Sequence, residues 1–218
     1  MTGETTIGVF GETMLLWIIV LRQSPRRPPA EHVHRQANFL LDELKASPAA
    51  QALSVQNVDD GMFAVAVLLD EIAMALPDLR QLWSARPLQA TRWTTNNAGV
   101  EFFERLERVR RGPRQILATY VAVLGCGFLG KYGLPGVVRE QLLDIRRVIC
   151  RELGVDADRD IPTGVLKPLK YDELPSDILP RDPWHKSVWM GRALALATLL
   201  GGSVAAGIAV YNILGLDK

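Results

Sequence analysis

The chain has 218 residues, with 25 Lys and Arg against 24 Asp and Glu and a formal net charge of +1. This length suits one ordinary domain plus a short appendage. The balanced charge gives no attraction to nucleic acid, so no nucleic-acid partner is expected. The two cysteines, Cys126 and Cys150, lie in apolar helical patterns, which indicates buried thiols rather than a disulfide or a zinc site.

Turn signals divide residues 1–154 into helix-sized pieces. Prolines between Ser24 and Pro29 end a first helix near Arg22. The apolar run Met14–Leu21 is short and no basic residue precedes it, so a signal peptide is not expected. The residues from 77 to 95 are expected to be irregular. Further helices are predicted over 30–45, 58–76, 100–111, 114–126 and 137–153.

The helix over 100–111 carries Glu–Arg pairs at i,i+4 spacing, each of which stabilises a helix by a few tenths of a kcal/mol. The pairs are Glu101–Arg105, Glu104–Arg108 and Glu107–Arg111. No stretch of the chain shows the alternation of apolar and polar residues that a strand requires. The sequence therefore predicts an all-α fold, with residues 1–154 as a cytoplasmic helical domain.

The C-terminal part has a different composition. Residues 155–187 are rich in proline and charge and are predicted to form an extended juxtamembrane strap. No charged residue occurs from Ala193 to Leu214, a stretch that reaches roughly 33 Å as a helix at about 1.5 Å per residue. We therefore predict a transmembrane anchor over 188–214, followed by a periplasmic stub over 215–218.

Basic residues flank this predicted anchor unequally. Arg181, Lys186 and Arg192 precede it and only Lys218 follows it. The positive-inside rule places the N-terminal domain in the cytoplasm and the C-terminus on the other side. Small residues four apart within the anchor would let a second helix approach closely. They are Gly201, Gly202, Ser203, Ala205, Ala206 and Gly207.

One segment has the spacing of two nucleotide-binding motifs. Gly125–Lys131 fits both G-x-G-x-x-G and G-x-x-x-x-G-K, but each motif needs a preceding strand. A helix is predicted there instead, and Tyr132 stands where a phosphate-binding loop has Ser or Thr. A glycine-rich break between packed helices is the plain explanation. A tail-anchored nucleotide-binding protein is the alternative from a different functional class.

No residues can be argued to form a catalytic or metal site. His32 and His34 are two apart and point in different directions on a helix. Asp70 and Glu71 lie in a very apolar helix, where the sequence leaves open a solvated helix end or a contact or structural role. Catalysis would need a second convergent group, so no enzymatic activity, cofactor or metal is expected.

Three segments, in this order, resemble one family. Asp70-Glu71 is followed by Trp83, by Gly99-Val100-Glu101-Phe102-Phe103, and by Gly127-Phe128-Leu129-Gly130-Lys131-Tyr132. They are similar to the marks of the DotU/TssL family, the inner-membrane subunits of type VI secretion systems, with DotU/IcmH relatives in type IVB systems. The resemblance covers about residues 7 to 214. The family's frequent Trp-Gly after the acidic pair is absent, and no peptidoglycan-binding domain follows the span.

The resemblance implies a hook-like cytoplasmic domain of two small three-helix bundles on the bacterial inner membrane. It also implies a structural subunit, without catalytic activity, of the trans-envelope membrane complex. Its expected partners are a TssM/IcmF-type membrane protein, a TssJ-type lipoprotein in the same complex, baseplate components and a second copy of the chain. A type IVB stabilising subunit is the nearest alternative, and a generic tail-anchored adaptor is another.

Structural roles are expected for most of these motif positions. Gly99 would permit a tight turn before the helix of Phe102 and Phe103, whose rings would pack in the core. Gly127 and Gly130 would allow close helix approach. Asp70 and Glu71 are the positions expected to contact a partner. The remaining structural positions are Trp83, Glu101, Phe128 and Tyr132.

Overall fold

The computed structural model describes residues 8–134, 137–138 and 140–155. These residues contain α-helices and no strand, which confirms the predicted all-α fold. A 3₁₀ turn, Gly130–Gly133, precedes the last helix. The α-helices are α1 Glu12–Gln23, α2 Ala30–Ala46, α3 Pro48–Gln51, α4 Val55–Ala75, α5 Pro77–Ala85, α6 Leu88–Trp93, α7 Ala98–Val109, α8 Arg114–Gly125 and α9 Glu140–Leu153.

The predicted C-terminal elements lie outside the described residues. The strap over 155–187 is described only at Val155, and the anchor over 188–214 and the stub over 215–218 are not described. The small residues proposed to pack in the anchor, from Gly201 to Gly207, are among these. Their roles stay predictions.

The stretch from residue 77 to residue 95 is helical, so the expectation that it is irregular was wrong. Pro77 ends α4, but it also occupies the first turn of α5, where the missing proline N–H costs nothing. Leu79 and Trp83, four residues apart on α5, are both fully buried. The proline is therefore a boundary between two helices rather than the start of a loop.

Helix α4 is the centre of the domain. Its first turn is exposed at Val55, but its middle is shielded, and Phe63, Val65 and Leu69 have no exposed surface. Helices α2, α5 and α6 pack with α4 as one group. Helices α7 and α8 pack with α4 as a second group, and α9 packs on α8. The buried side chains form one continuous core through both groups.

One described segment, Arg114–Gly133, is long and apolar enough to cross a membrane by composition, with a mean hydropathy of 1.4. Its most apolar window is 56% buried inside the domain. Within it, Tyr120 and Val123 have no exposed surface. This is the environment of a core helix, and α8 is accordingly one wall of the second group.

The arginines of α7 form different ion pairs from those expected. Arg105 does pair with Glu101, but it also reaches Asp59 and the buried Asp60 on α4. Arg108 pairs with Asp60 rather than with Glu104. The Asp60 carboxylate is only 1% exposed and needs charged donors to compensate for its burial. Pairing with it therefore stabilises the domain more than a surface i,i+4 pair would. Glu107 pairs with Arg110 instead of Arg111.

Arg105 is the central cation of this cluster, and its side chain is 12% exposed. Its guanidinium carbon lies 3.9 Å from the centre of the Phe63 ring. Arg105→Ala is expected to reduce the free energy of unfolding by about 3 kcal/mol, because Asp60 loses a partner inside the core. Thermal and urea unfolding followed by circular dichroism would measure the change.

The matched control is Arg147→Ala, which removes an exposed i,i+3 pair with Asp144. That loss should cost no more than about 0.5 kcal/mol. Equal effects of the two substitutions would contradict a structural role for the cluster.

Candidate functional site

Asp70 lies inside the domain and holds the junction of α5 and α6. Its carboxylate accepts hydrogen bonds from the Trp83 indole at 2.9 Å and from the Leu88 and Gln89 backbone N–H groups at 2.9 and 2.8 Å. The two N–H groups belong to the first turn of α6, where no intrahelical acceptor exists. The carboxylate thus caps the N-terminus of α6, where its negative charge interacts favourably with the helix dipole. Its side chain is 5% exposed.

Glu71, the next residue, serves the other group of helices. Its carboxylate accepts hydrogen bonds from the backbone N–H groups of Leu129 and Gly130, at 3.0 and 2.8 Å. Successive helical residues point about 100° apart, so the two carboxylates leave α4 in different directions. Asp70 reaches the α5–α6 junction, whereas Glu71 reaches the loop after α8. The acidic pair therefore connects both helix groups to one helix.

An aromatic cluster fills the space beside that loop. The Phe102 ring centre lies 4.6 Å from that of Tyr120 and 4.5 Å from that of Phe128. Phe103 makes an edge contact with Tyr132 at 4.9 Å. All five rings are buried, so the predicted core packing of the Phe102/Phe103 pair is seen. Rings at these separations and tilted angles stabilise one another beyond their burial alone.

Gly99 and Gly130 bring two backbones into contact. A Cβ at Gly99 would lie 3.2 Å from the backbone of Gly130, and a Cβ at Gly130 would lie 2.7 Å from the Gly99 carbonyl oxygen. Gly130 also has φ +51. Gly99 is in the first turn of α7 and its φ is not positive, so it serves this close approach rather than the tight turn expected for it. The expected close approach at Gly130 is found.

The loop leading to Gly130 is fixed at its start as well. Gly127 has φ +95, which favours glycine. The Arg22 guanidinium donates a 2.8 Å hydrogen bond to the Cys126 carbonyl at the end of α8, where a cation suits the helix dipole. Arg22 also acts electrostatically on Glu71. Sequence reasoning missed Arg22, because no local pattern links it to a residue a hundred positions away.

The structure thus brings most motif positions into one network, which we call the junction network. Glu101 lies apart, in the cluster of Arg105 with Asp59 and Asp60. Asp60 was also missed, although it carries the same signal as Asp70, a carboxylate within an apolar helix. The junction network consists of Asp70, Glu71, Trp83, Gly99, Phe102, Phe103, Phe128, Gly130 and Tyr132.

In the loop that fits nucleotide-binding spacing, two backbone amides are already occupied by a carboxylate. The N–H groups of Leu129 and Gly130 already donate to the Glu71 carboxylate, whose negative charge would repel a phosphate. A helix, α8, precedes the loop, whereas both motifs require a strand. These contacts argue against nucleotide binding at Gly125–Lys131.

Burial dominates the electrostatics of the acidic pair. Desolvation raises the pKa of Asp70 to about 6, although hydrogen bonds from Gln89, Leu88 and Trp83 act in the opposite direction. Desolvation likewise raises the pKa of Glu71, against the hydrogen bonds from Gly130 and Leu129. Burial also raises the pKa of the Cys126 thiol, which makes it a poor nucleophile. Among the described residues, no group of three or more His, Cys, Asp or Glu could hold a metal ion.

Two solved structures that are similar to this one are both of TssL proteins. The cytoplasmic domain of TssL from Acinetobacter baumannii has a TM-score of 0.60 and 24% identity, covering 67% of this chain and 98% of that one. The type VI secretion protein SciP/TssL from enteroaggregative Escherichia coli 042 has a TM-score of 0.57 and 25% identity, covering 73% and 95%. The described helices therefore have the fold of TssL cytoplasmic domains.

The sequence agrees with this class. The family model described as type VI secretion system protein DotU matches residues 10–214. The chain belongs to the DotU family of type VI secretion system proteins, as the motif resemblance predicted. No match was found among curated protein sequences.

Gly130 is the most constrained position of the network. Gly130→Ala should reduce the free energy of unfolding by about 3 kcal/mol, since the left-handed backbone costs about 1 kcal/mol and overpacking against the Gly99 oxygen adds more. Gly154→Ala is the matched control, because Gly154 has φ +71 but nothing within 4 Å of the added Cβ. It should cost only about 1 kcal/mol. Equal losses in urea unfolding would contradict the backbone contact.

The buried carboxylate of Asp70 predicts a pH effect. Because its folded pKa of about 6 lies above the ordinary aspartate pKa of 3.8, its contribution to stability is present below about pH 4 and is lost as pH rises toward 6. The loss amounts to about 3 kcal/mol at 1.36 kcal/mol per unit. Asp70→Asn cannot titrate, so the stability of the wild type relative to this variant should fall over that range.

Unfolding free energies measured between pH 4 and pH 7 for both proteins would test this, since all other groups cancel in the difference. A difference that stays constant across the range would contradict the assignment to Asp70.

Proposed function

We propose that this chain is a structural subunit of the trans-envelope membrane complex of a type VI secretion system. Residues 188–214 anchor it in the bacterial inner membrane, the helical domain lies in the cytoplasm, and 215–218 reach the periplasm. The family match supports this topology because it extends through residue 214 and so includes the uncharged stretch. The domain catalyses no reaction in this proposal.

One observation carries the proposal. Most residues that the chain shares with the family's marks converge in the junction network, where each supports packing or backbone position. An enzyme would need polar groups converging on a space that a substrate can enter. The network instead has buried rings and carboxylates already occupied by backbone donors. Such an arrangement fixes the relative position of helices and loops, which is what a docking scaffold needs.

The proposed partners follow from family membership. We assign to the chain a TssM/IcmF-type inner-membrane protein, a complex that also holds a TssJ-type lipoprotein, and baseplate components on the cytoplasmic side. A homodimer would use the small residues of the anchor, Gly201, Gly202, Ser203, Ala206 and Gly207. Close helix approach through small residues needs no charged contact within the bilayer.

The acidic pair contributes to these contacts indirectly in our proposal. Asp70 and Glu71 have internal hydrogen-bond partners, so a partner would meet the backbone segments that they fix. These segments are the α5–α6 junction and the loop from Gly127 to Gly130. Leu134, just beyond the second segment, is 61% exposed. The carboxylates would then position the backbone segments that a partner contacts, rather than contact the partner through their own charge.

Glu71→Ala should weaken recovery of the TssM/IcmF-type and baseplate proteins with the full-length chain, because the loop amides lose their acceptor. The experiment extracts the tagged chain from bacterial membranes and quantifies co-purified partners by mass spectrometry. Contractile-sheath assembly in the same cells gives a second readout. Glu43→Ala, which removes an exposed carboxylate on α2, is the matched control.

Normal partner recovery and sheath assembly in Glu71→Ala, with the chain still in the membrane fraction, would contradict the proposed role of the loop. Absence of the wild-type chain from carbonate-washed membranes would contradict the anchor itself.

A further inference from the structure

The α7–α8 turn lies beside the point where the described chain ends. Arg110 donates a 3.0 Å hydrogen bond to Glu152 near the end of α9. Arg114 donates a 2.6 Å hydrogen bond to the Leu153 carbonyl. The described part of the chain therefore ends next to this turn. We call Arg110, Arg111, Arg114 and Arg151 the exit surface.

This surface has an excess of positive charge. Its four arginines face two glutamates, Glu107 and Glu152, which leaves a net charge of +2. Both glutamates pair with Arg110. Arg111 and Arg151 are exposed, and neither forms an ion pair with any residue that the structure describes.

We infer that the exit surface docks on the anionic headgroups of the bilayer that holds the chain. The inference rests on the proposed membrane anchor, which keeps the domain within reach of the lipid. Guanidinium groups bind phosphate oxygens through paired N–H donors, and each basic residue near an anionic leaflet adds to the attraction. Since the Debye length is about 10 Å at 0.1 M salt, the arginines act only when the turn is close to the lipid.

One other occupant has the right charge for the same arginines. Asp156, Asp158 and Asp160 follow Val155 in the sequence, with Arg159 among them. Lipid headgroups are the occupant that we propose, because a leaflet presents many phosphates across a plane whereas the segment supplies three carboxylates. The experiment includes a variant that separates the two occupants.

The test uses the full-length chain in lipid nanodiscs. A fluorescent amino acid replaces Glu104, an exposed residue on α7, and acceptor-labelled lipid reports its distance from the bilayer. Discs contain phosphatidylcholine alone or phosphatidylcholine mixed with phosphatidylglycerol. Energy transfer should be greater in the anionic discs. The increase should disappear at 1 M salt, where the Debye length is about 3 Å.

Charge reversal identifies the surface. Arg111→Glu with Arg151→Glu should lower the docked-to-undocked ratio at least about thirtyfold, given the usual contribution of two basic residues. Arg26→Glu with Lys45→Glu is the matched control, since both residues are exposed and lie outside the exit surface. It should leave the ratio nearly unchanged. Circular dichroism checks that every variant keeps its helical content.

Three results would overturn the inference but not the proposed anchor. The first is equal energy transfer in both kinds of disc, and the second is an equal loss of energy transfer in the control variant. The third is a response to lipid charge that is seen only after Asp156, Asp158 and Asp160 are changed to Asn. The last result would make the acidic segment the occupant. A chain that fails to enter nanodiscs would overturn the proposed anchor and this inference with it.

Discussion

Two adjacent carboxylates on one buried helix organise this domain. Asp70 and Glu71 follow each other on α4, so the helix itself fixes the angle between them. One binds the start of α6 and the Trp83 indole, and the other binds two loop amides after α8. Each carboxylate is buried at a cost that raises its pKa, and backbone donors supply the compensation. The two helix groups are therefore positioned largely through α4, with an added direct contact where Gln89 of α6 accepts a hydrogen bond from the Ala98 N–H at the start of α7.

Glycine and aromatic residues fix the packing of the loop after α8 against α7. The loop that Glu71 holds can approach α7 only because Gly99 and Gly130 lack side chains at their contact. That approach places Phe128 against Phe102, and Tyr132 against Phe103. Residues that are widely separated in sequence thus depend on one another. Family membership and this network agree on a type VI secretion system protein in which these motif residues determine packing and backbone position.

Much of the fold follows from sequence periodicity, and the failures have physical causes. The apolar spacing of α4 and the Gly112-Pro113 stop after α7 placed those helices within a few residues. Pro77 was predicted to end a helix, which it does, but the lack of an N–H also suits proline to the first turn of a new helix. The sequence alone did not distinguish the two cases. The arginine pairs of α7 were only partly predicted, because a buried acid on another helix competes for them. An ion pair with a residue on another helix leaves no pattern in the local sequence. The motif order identified the family, but not the internal partners of Asp70 and Glu71.

The continuous core has a consequence for how the domain unfolds. Since α4 forms a wall of both helix groups, neither group can lose its structure while the other keeps a complete core. The two groups are therefore expected to unfold as one cooperative unit. The proposed anchor would then transmit force to a domain whose two groups lose their structure together.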